Sequence, residues 1–227
     1  MSLWLCLLLA LGAAFLYVVV RVLVRQRRPC AKLSELRAVA AALAQKQCIS
    51  IVGCCCTGKS TLAHTLAKIK GVRHIELDSL AWLPGWQNRD REEFKAMLSQ
   101  QIQEAKAQGG FTIDGNYFNA TGGFVWDEVE VVVWLDLDFW VVLTRAVWRT
   151  LKRMICRIEC CNGNYEHPGL LFTGDSVITW VIKVHHLQEE KLRRMREKHQ
   201  HQPLFVRIRC PQDVDRLVQL VRLEVGL

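Results

Sequence analysis

The chain has 227 residues, with 30 Lys and Arg against 22 Asp and Glu and a formal net charge of +8, a length that allows one ordinary domain with an appendage. The charge is local: residues 1–50 hold seven basic side chains and one acid, whereas residues 51–227 carry a net of only +2, which argues against a nucleic-acid surface on the domain. Ten cysteines, three of them consecutive at 54–56, do not form the spacing of a disulfide framework and point to a reducing compartment.

Residues 3–20 contain no charge, and Arg21, Arg25, Arg27, Arg28 and Lys32 follow at once, while no Lys or Arg precedes them. That length and flank predict a transmembrane anchor over residues 1–24, with the N-terminus outside and the rest in the cytosol. A cleaved signal peptide fits less well, since there is no basic residue before the apolar run and no A-x-A site after it. Residues 25–46 then read as a basic juxtamembrane segment and a linker helix, with Leu33, Leu36, Val39, Ala40 and Leu43 at helical spacing. A single α/β domain is expected over residues 47–227.

Residues 48–52 read as a short buried strand, and Gly53-Cys54-Cys55-Cys56-Thr57-Gly58-Lys59-Ser60 matches the phosphate-loop pattern G-x-x-x-x-G-K-[ST]. A helix follows from Thr61, with Leu62 and Leu66 four apart. Successive backbone N–H groups at a helix N-terminus suit a phosphate. Lys59 would neutralise the terminal phosphates of ATP, and the Ser60 hydroxyl would ligate Mg²⁺. Cys56 stands where many small-molecule kinases have a further glycine, so its Cβ is acceptable only if the position avoids positive φ.

A second strand is predicted at residues 73–77, ending on Asp78 at the carboxyl edge where doubly wound sheets bind ligands. There a carboxylate could orient or deprotonate an attacking hydroxyl; a turn cap through Asp78-Ser79 is the plainer role. Residues 80–86, with Trp82, Trp86 and a Pro-Gly break, read as an irregular aromatic loop. Asp90 caps a helix to about residue 108. Residues 111–114 form a short strand exiting into Gly115-Asn116-Tyr117, and residues 129–135 a stronger one followed by Asp136. Either Asp114 or Asp136 could supply the acid beside Mg²⁺, and pattern alone leaves that choice open. Asn119-Ala120-Thr121 matters as a glycosylation sequon only if the domain is lumenal.

The next helix, from residue 139 to about 157, sets Arg145, Arg149 and Arg153 (or Lys152) one turn apart on one stripe. Planar guanidinium groups match phosphate oxygens, on which charge builds during transfer; the competing reading is a solvated face. Residues 160–174 are loop-rich. Cys156, Cys160, Cys161 and His167 lack the C-x-x-C pair of a zinc site. Residues 176–198 return to helix, with His185 and His186 taken as surface residues. Residues 204–208 form a last strand and residues 213–223 a last helix. Strands alternating with helices imply a parallel sheet covered on both faces.

His74-Ile75-Glu76-Leu77-Asp78, Trp82-Leu83-Pro84-Gly85-Trp86, Ile113-Asp114-Gly115-Asn116-Tyr117, Val133-Trp134-Leu135-Asp136 and Asn162-Gly163-Asn164 follow the phosphate loop in order. Over residues 48–210 this series resembles the bacterial adenylate kinase-related proteins labelled DNA topology modulation, or FlaR-like, proteins. The resemblance implies a P-loop kinase-like three-layer domain, a five-stranded parallel sheet of order 2-3-1-4-5, and a mobile lid at about residues 154–175. It favours Asp114 beside Mg²⁺ and places Arg145 and Arg149 at the lid and its base. It also sets Arg209-Cys210-Pro211 where such kinases hold adenine. Cys56, Tyr165 in place of the family's arginine, and the N-terminal anchor are departures from the pattern.

Two functions follow. One is an ATP- and Mg²⁺-dependent phosphotransferase acting on a nucleotide or other small acceptor, with Lys59, Asp78, Arg145, Arg149 and Arg153 catalytic. Gly53, Cys54, Cys55, Cys56, Thr57, Gly58, Lys59, Ser60, Thr61 and Arg209 would bind nucleotide, and Ser60 and Asp114 metal. The other is a membrane-anchored nucleotide-binding module that transfers weakly or not at all, to which Cys56 and Tyr165 lend weight. The kinase reading is preferred because each of its parts has a candidate residue.

Overall fold

The computed structural model describes residues 30–121, 123–167, 169, 176–198 and 203–227. The proposed anchor at residues 1–24 and His199–His201 lie outside them. Among the described residues no helix is long and apolar enough to cross a membrane.

The described residues form nine strands: β1 (Cys48–Gly53), β2 (Arg73–Glu76), β3 (Trp82–Leu83), β4 (Gln87–Asn88), β5 (Phe111–Asp114), β6 (Val131–Leu135), β7 (Glu159–Cys160), β8 (Asn164–Tyr165) and β9 (Leu204–Ile208). Five make one parallel sheet in the order β2-β5-β1-β6-β9. This numbering differs from the expected 2-3-1-4-5 because two short antiparallel hairpins, β3–β4 and β7–β8, intervene in the chain. With the hairpin strands set aside, the five parallel strands stand second, third, first, fourth and fifth.

All six residues of β1 and all five of β6 are buried, as the central strands of a sheet covered on both faces must be. Alternation along β6 sorts its side chains. Val131, Val133 and Leu135 pack with Ile49 and Ile51, with Leu62 and Leu66 of α2 (Lys59–Lys70), and with Leu217 and Val221 of α7 (Pro211–Val225). Ala40 and Leu43 of α1 (Leu33–Gln45) complete that layer. Val132 and Trp134 face the other way, onto Phe94, Leu98 and Ile102 of α3 (Arg91–Ala107), together with Phe111 and Trp126. The Asp90 carboxylate accepts from the backbone N–H of Glu92 and Glu93, the N-cap bonds that start α3 where the sequence places it.

A third apolar cluster joins the phosphate loop to the two helices that flank the lid. Cys54 and Leu137 pack with Val141, Val142 and Ala146 of α4 (Phe139–Ile155) and with Val181 of α5 (Val177–Val184).

Four expectations change. Leu77 opens a helical turn (Leu77–Ala81) instead of closing β2, so Asp78 stands in a first helical turn and not at a strand end. The aromatic loop contains the β3–β4 hairpin. The lid contains β7–β8, turned through Cys161, Asn162 and Gly163 at positive φ. The single helix expected over 176–198 is two, α5 and α6 (Gln188–Lys198), parted by a 3-10 turn at His185–Leu187. His185 is not a free surface residue: its Nε2 lies 2.9 Å from the Leu137 carbonyl and its ring packs edge-on against Phe139, which fixes the break.

Candidate active site

The carboxyl ends of β1 and β5 set the geometry. Gly53 ends β1 at φ 146°, and a Cβ there would stand 2.6 Å from the Leu135 carbonyl oxygen, so only glycine lets the loop turn beside β6. The loop is braced from within: Thr57 Oγ1 donates to Cys54 O at 2.8 Å, and Lys59 Nζ donates to the same oxygen at 3.0 Å. Asn116 clasps it from outside, accepting from Gly53 N at 3.2 Å while its amide donates to Gly53 O. Gly58 is the left-handed residue from which α2 departs, and Ser60 and Thr61 lie in the first turn of that helix.

Cys56 adopts φ 63°. The condition set by its Cβ is therefore not met, and the loop carries a left-handed non-glycine residue, worth about 1–2 kcal/mol of strain. The thiols themselves add no charge. Burial pushes the Cys54 thiol up to about 12, and burial also raises Cys56, so both remain neutral near pH 7 beside any phosphate.

Ser60 Oγ donates to Asp114 Oδ2 at 2.5 Å, and the other Asp114 oxygen lies 2.8 Å from His74 Nε2. Asp114 is 3% exposed. Asp136 is engaged elsewhere: Arg207 grips it at 2.8–2.9 Å and Arg209 lies at 3.4 Å. Of the two acids, Asp114 is the one seen to bond a phosphate-loop side chain. Arg209, paired with Asp136 and half exposed, makes no contact with the loop among its described interactions.

The arginine stripe of α4 faces the loop and the lid. Arg145 Nη1 donates to Thr57 O at 3.2 Å. Arg149 is near enough to Cys56 for its charge to favour the thiolate, although burial prevails there, and its Nε is buried with no hydrogen-bond partner among the described residues. Arg153 Nη1 bonds Glu166 Oε1 at 2.8 Å, and Glu166 is itself buried, so this arginine holds the lid and not the loop.

Asp78 is held by Tyr117, whose Oη donates to its Oδ1 at 2.7 Å. Burial first, then the Asp78 charge, raises the Tyr117 hydroxyl far above its usual range, keeping it a donor. Burial and Asp78 likewise push the Cys161 thiol up to about 12, which sets the lid turn beside the same carboxylate. Trp82 and Trp86 meet edge-to-face at 5.6 Å. The lid hairpin is laid on them: Asn164 Nδ2 donates to Leu83 O at 3.0 Å, Asn164 Oδ1 accepts from Trp86 N at 2.7 Å, and Asn162 Nδ2 donates to Trp82 O at 2.8 Å. Sequence reasoning missed the roles of His74, Asn116, Tyr117 and Glu166; the Gly-Asn-Tyr turn after Asp114 was the available signal for two of them.

No protein-family profile matches the chain, and no curated protein matches it. Among solved structures it is similar to an unliganded sugar kinase from a Janibacter species, at 15% identity over 79% of this chain and 95% of that one. The TM-score of 0.45 is too low to carry an argument about activity.

Proposed function

We propose that the chain is an ATP- and Mg²⁺-dependent phosphotransferase of the P-loop kinase type, acting on a nucleotide or another small acceptor. The observation that carries this reading is the junction of loop and acid: Ser60 on Asp114 beneath a glycine-turned loop, with the buried Arg149 Nε lacking a partner on the lid side. The residues present suit the proposed ligands. Ser60 and Asp114 offer the hydroxyl and carboxylate oxygens that Mg²⁺ takes. The backbone N–H groups of residues 54–60 open onto the N-terminus of α2, which favours anions.

Bound ATP–Mg²⁺ would supply an activated phosphoryl group. Lys59 is the mobile cation within the loop, able to exchange the Cys54 carbonyl for phosphate oxygens. Arg149 has a donor, its Nε, that is unsatisfied among the described residues and could take a phosphate oxygen, and Arg145, on the Thr57 carbonyl, stands one turn away. Asp78, oriented by Tyr117, is the carboxylate that can hold an acceptor hydroxyl, with Trp82 and Trp86 forming an apolar wall. The lid arginine Arg153 acts at one remove, through Glu166.

The second reading, a nucleotide-binding module with weak transfer, draws on Cys56 and its left-handed φ of 63°. Labelled ATP and a panel of small hydroxyl and phosphate compounds distinguish the two. The full chain should move label onto an acceptor, and Lys59→Ala should abolish most ATP–Mg²⁺ affinity or transfer while circular dichroism stays unchanged. Binding without transfer to any acceptor or to water leaves the module; unchanged binding and turnover in Lys59→Ala removes both readings.

A further inference from the structure

At the carboxyl end of β9, three donors to which the proposed transfer reaction assigns no role converge. Cys30 precedes α1, Cys210 is the N-cap of α7 and Asp213 its third residue. Their ligand atoms lie within 4.8 Å of one another. The convergence follows from helix geometry, since N-cap and third-residue side chains face each other across the first turn. The usual capping exchange is absent. Asp213 Oδ2 instead accepts from the Ala31 backbone N–H at 2.9 Å, which draws the segment at residue 30 against the helix end.

Asp213 is 2% exposed, and among the described residues its buried Oδ1 has no hydrogen bond and only an ion pair with the Arg216 guanidinium at 3.5 Å. A buried carboxylate oxygen without a hydrogen bond favours a cation, and the Asp213 carboxylate belongs to a cluster that also contains two sulfurs. Sulfur donors select zinc-type cations over magnesium or calcium.

We propose that Cys30, Cys210 and Asp213 form a zinc site that ties the segment leading from residues 1–29 to the N-terminus of α7. Tetrahedral zinc stands about 2.3 Å from sulfur and about 2.1 Å from oxygen, so the donors need close up by at most roughly 1 Å, a movement within reach of side-chain rotation at exposed Cys30 and at the first turn of α7. Binding releases both thiol protons to solvent and breaks the bond from Cys210 Sγ to Gln212 Oε1, leaving a fourth position to water. Two thiolates and a carboxylate around Zn²⁺ carry one net negative charge, which the helix N-terminus and Arg216 accommodate.

The test uses the full chain in detergent micelles under reducing conditions, stripped with a chelator and titrated with Zn²⁺ against a chromogenic competitor. One zinc per chain is expected. Cys30→Ser, at an exposed position, and Asp213→Asn, which keeps an acceptor for Ala31, should each weaken it beyond the roughly 10–100-fold that outer-shell partners are worth. Cys156→Ser should leave it unchanged. Co²⁺ should give a thiolate charge-transfer band that Cys30→Ser loses, while nucleotide binding in that variant stays at the wild-type level. Equal zinc affinity in the wild type and Cys30→Ser, absence of the cobalt band, or a Cys30–Cys210 disulfide that persists under the reducing conditions overturns the proposal.

Discussion

The phosphate loop and the lid are held by different forces. The loop hangs from β1, where Ile49, Ile51 and Val52 are fully buried, and its position is fixed by the packing of a whole sheet. The lid hairpin is two strands of two residues, fastened to the β3–β4 region by the amides of Asn162 and Asn164 and to α4 by the Arg153–Glu166 pair. Apolar surface around it is open, with Trp148 65% and Ile155 79% exposed. A region secured by a few polar contacts opens at far lower free energy than a buried strand. On the proposed reading the site pairs a rigid anion cradle with a more weakly held cover, and Arg149, whose Nε has no hydrogen bond among the described residues, belongs to the helix that leads into the cover.

The largest test of this contrast is kinetic. Arg149→Ala should slow phosphoryl transfer by about 10³-fold or more, and ATP affinity should change little because its contact is made mainly with charge that develops in transfer. Equal losses in both would place Arg149 with the cradle instead of the cover. Next comes the clasp. Asn164→Ala removes donors to Leu83 O and Cys161 O and the acceptor for Trp86 N, about 2 kcal/mol for buried groups left unpaired. Hydrogen exchange should accelerate at residues 159–165 and remain unchanged in β1 and β6; protection lost across the sheet as well would mean that the two regions unfold as one.

A third test is the pH dependence of the cradle. Cys54 has its thiol raised from 9.0 to about 12 by burial, so above pH 9.0 the unfolded chain loses this proton first. Stability should be complete below that pH and fall as pH rises toward 12, by up to about 1.4 kcal/mol per unit from this group. Denaturant titrations of Cys54→Ala between pH 8 and 11 should show a shallower decline. The smallest effect is at Cys56. Replacing it by glycine relieves about 1–2 kcal/mol of left-handed strain but adds about 0.5–1 kcal/mol of backbone entropy cost. Cys56→Gly should therefore stabilise the domain by roughly 0.5–1 kcal/mol, read as a higher denaturation midpoint with unchanged slope.

What could be read from the chain beforehand was whatever short-range pattern governs. The phosphate loop between an apolar run and a helix, the Asp90 cap, and the uninterrupted Val131–Leu135 strand all depend on neighbours in sequence. The rest depends on partners 40–80 residues away. Asp114 and Asp136 look alike as strand-end acids until Ser60 and His74 are found on one and Arg207 on the other. Tyr117 gave no sign of bonding Asp78, nor Asn164 of seating Trp86. Cys56 shows the same limit, since the motif permits any residue there and only the folded loop demands the left-handed turn.

The position of β9 has a consequence for how the chain is made. This strand pairs with β6 from Val131↔Leu204 to Leu135↔Ile208, and α7, directly after it, contributes Leu217 and Val221 to the layer that holds Leu62 and Leu66 of the phosphate-loop helix. Synthesis delivers these two elements after the other four strands of the sheet. Until they leave the ribosome, α1 and α2 present one bare apolar flank and β6 an unpaired edge, the surfaces on which nascent chains aggregate or recruit chaperones. The cradle's sequence is complete by residue 60, but its fold waits for residues beyond 200, so a stalled or shortened chain would carry the whole phosphate motif and have no finished scaffold to hold it.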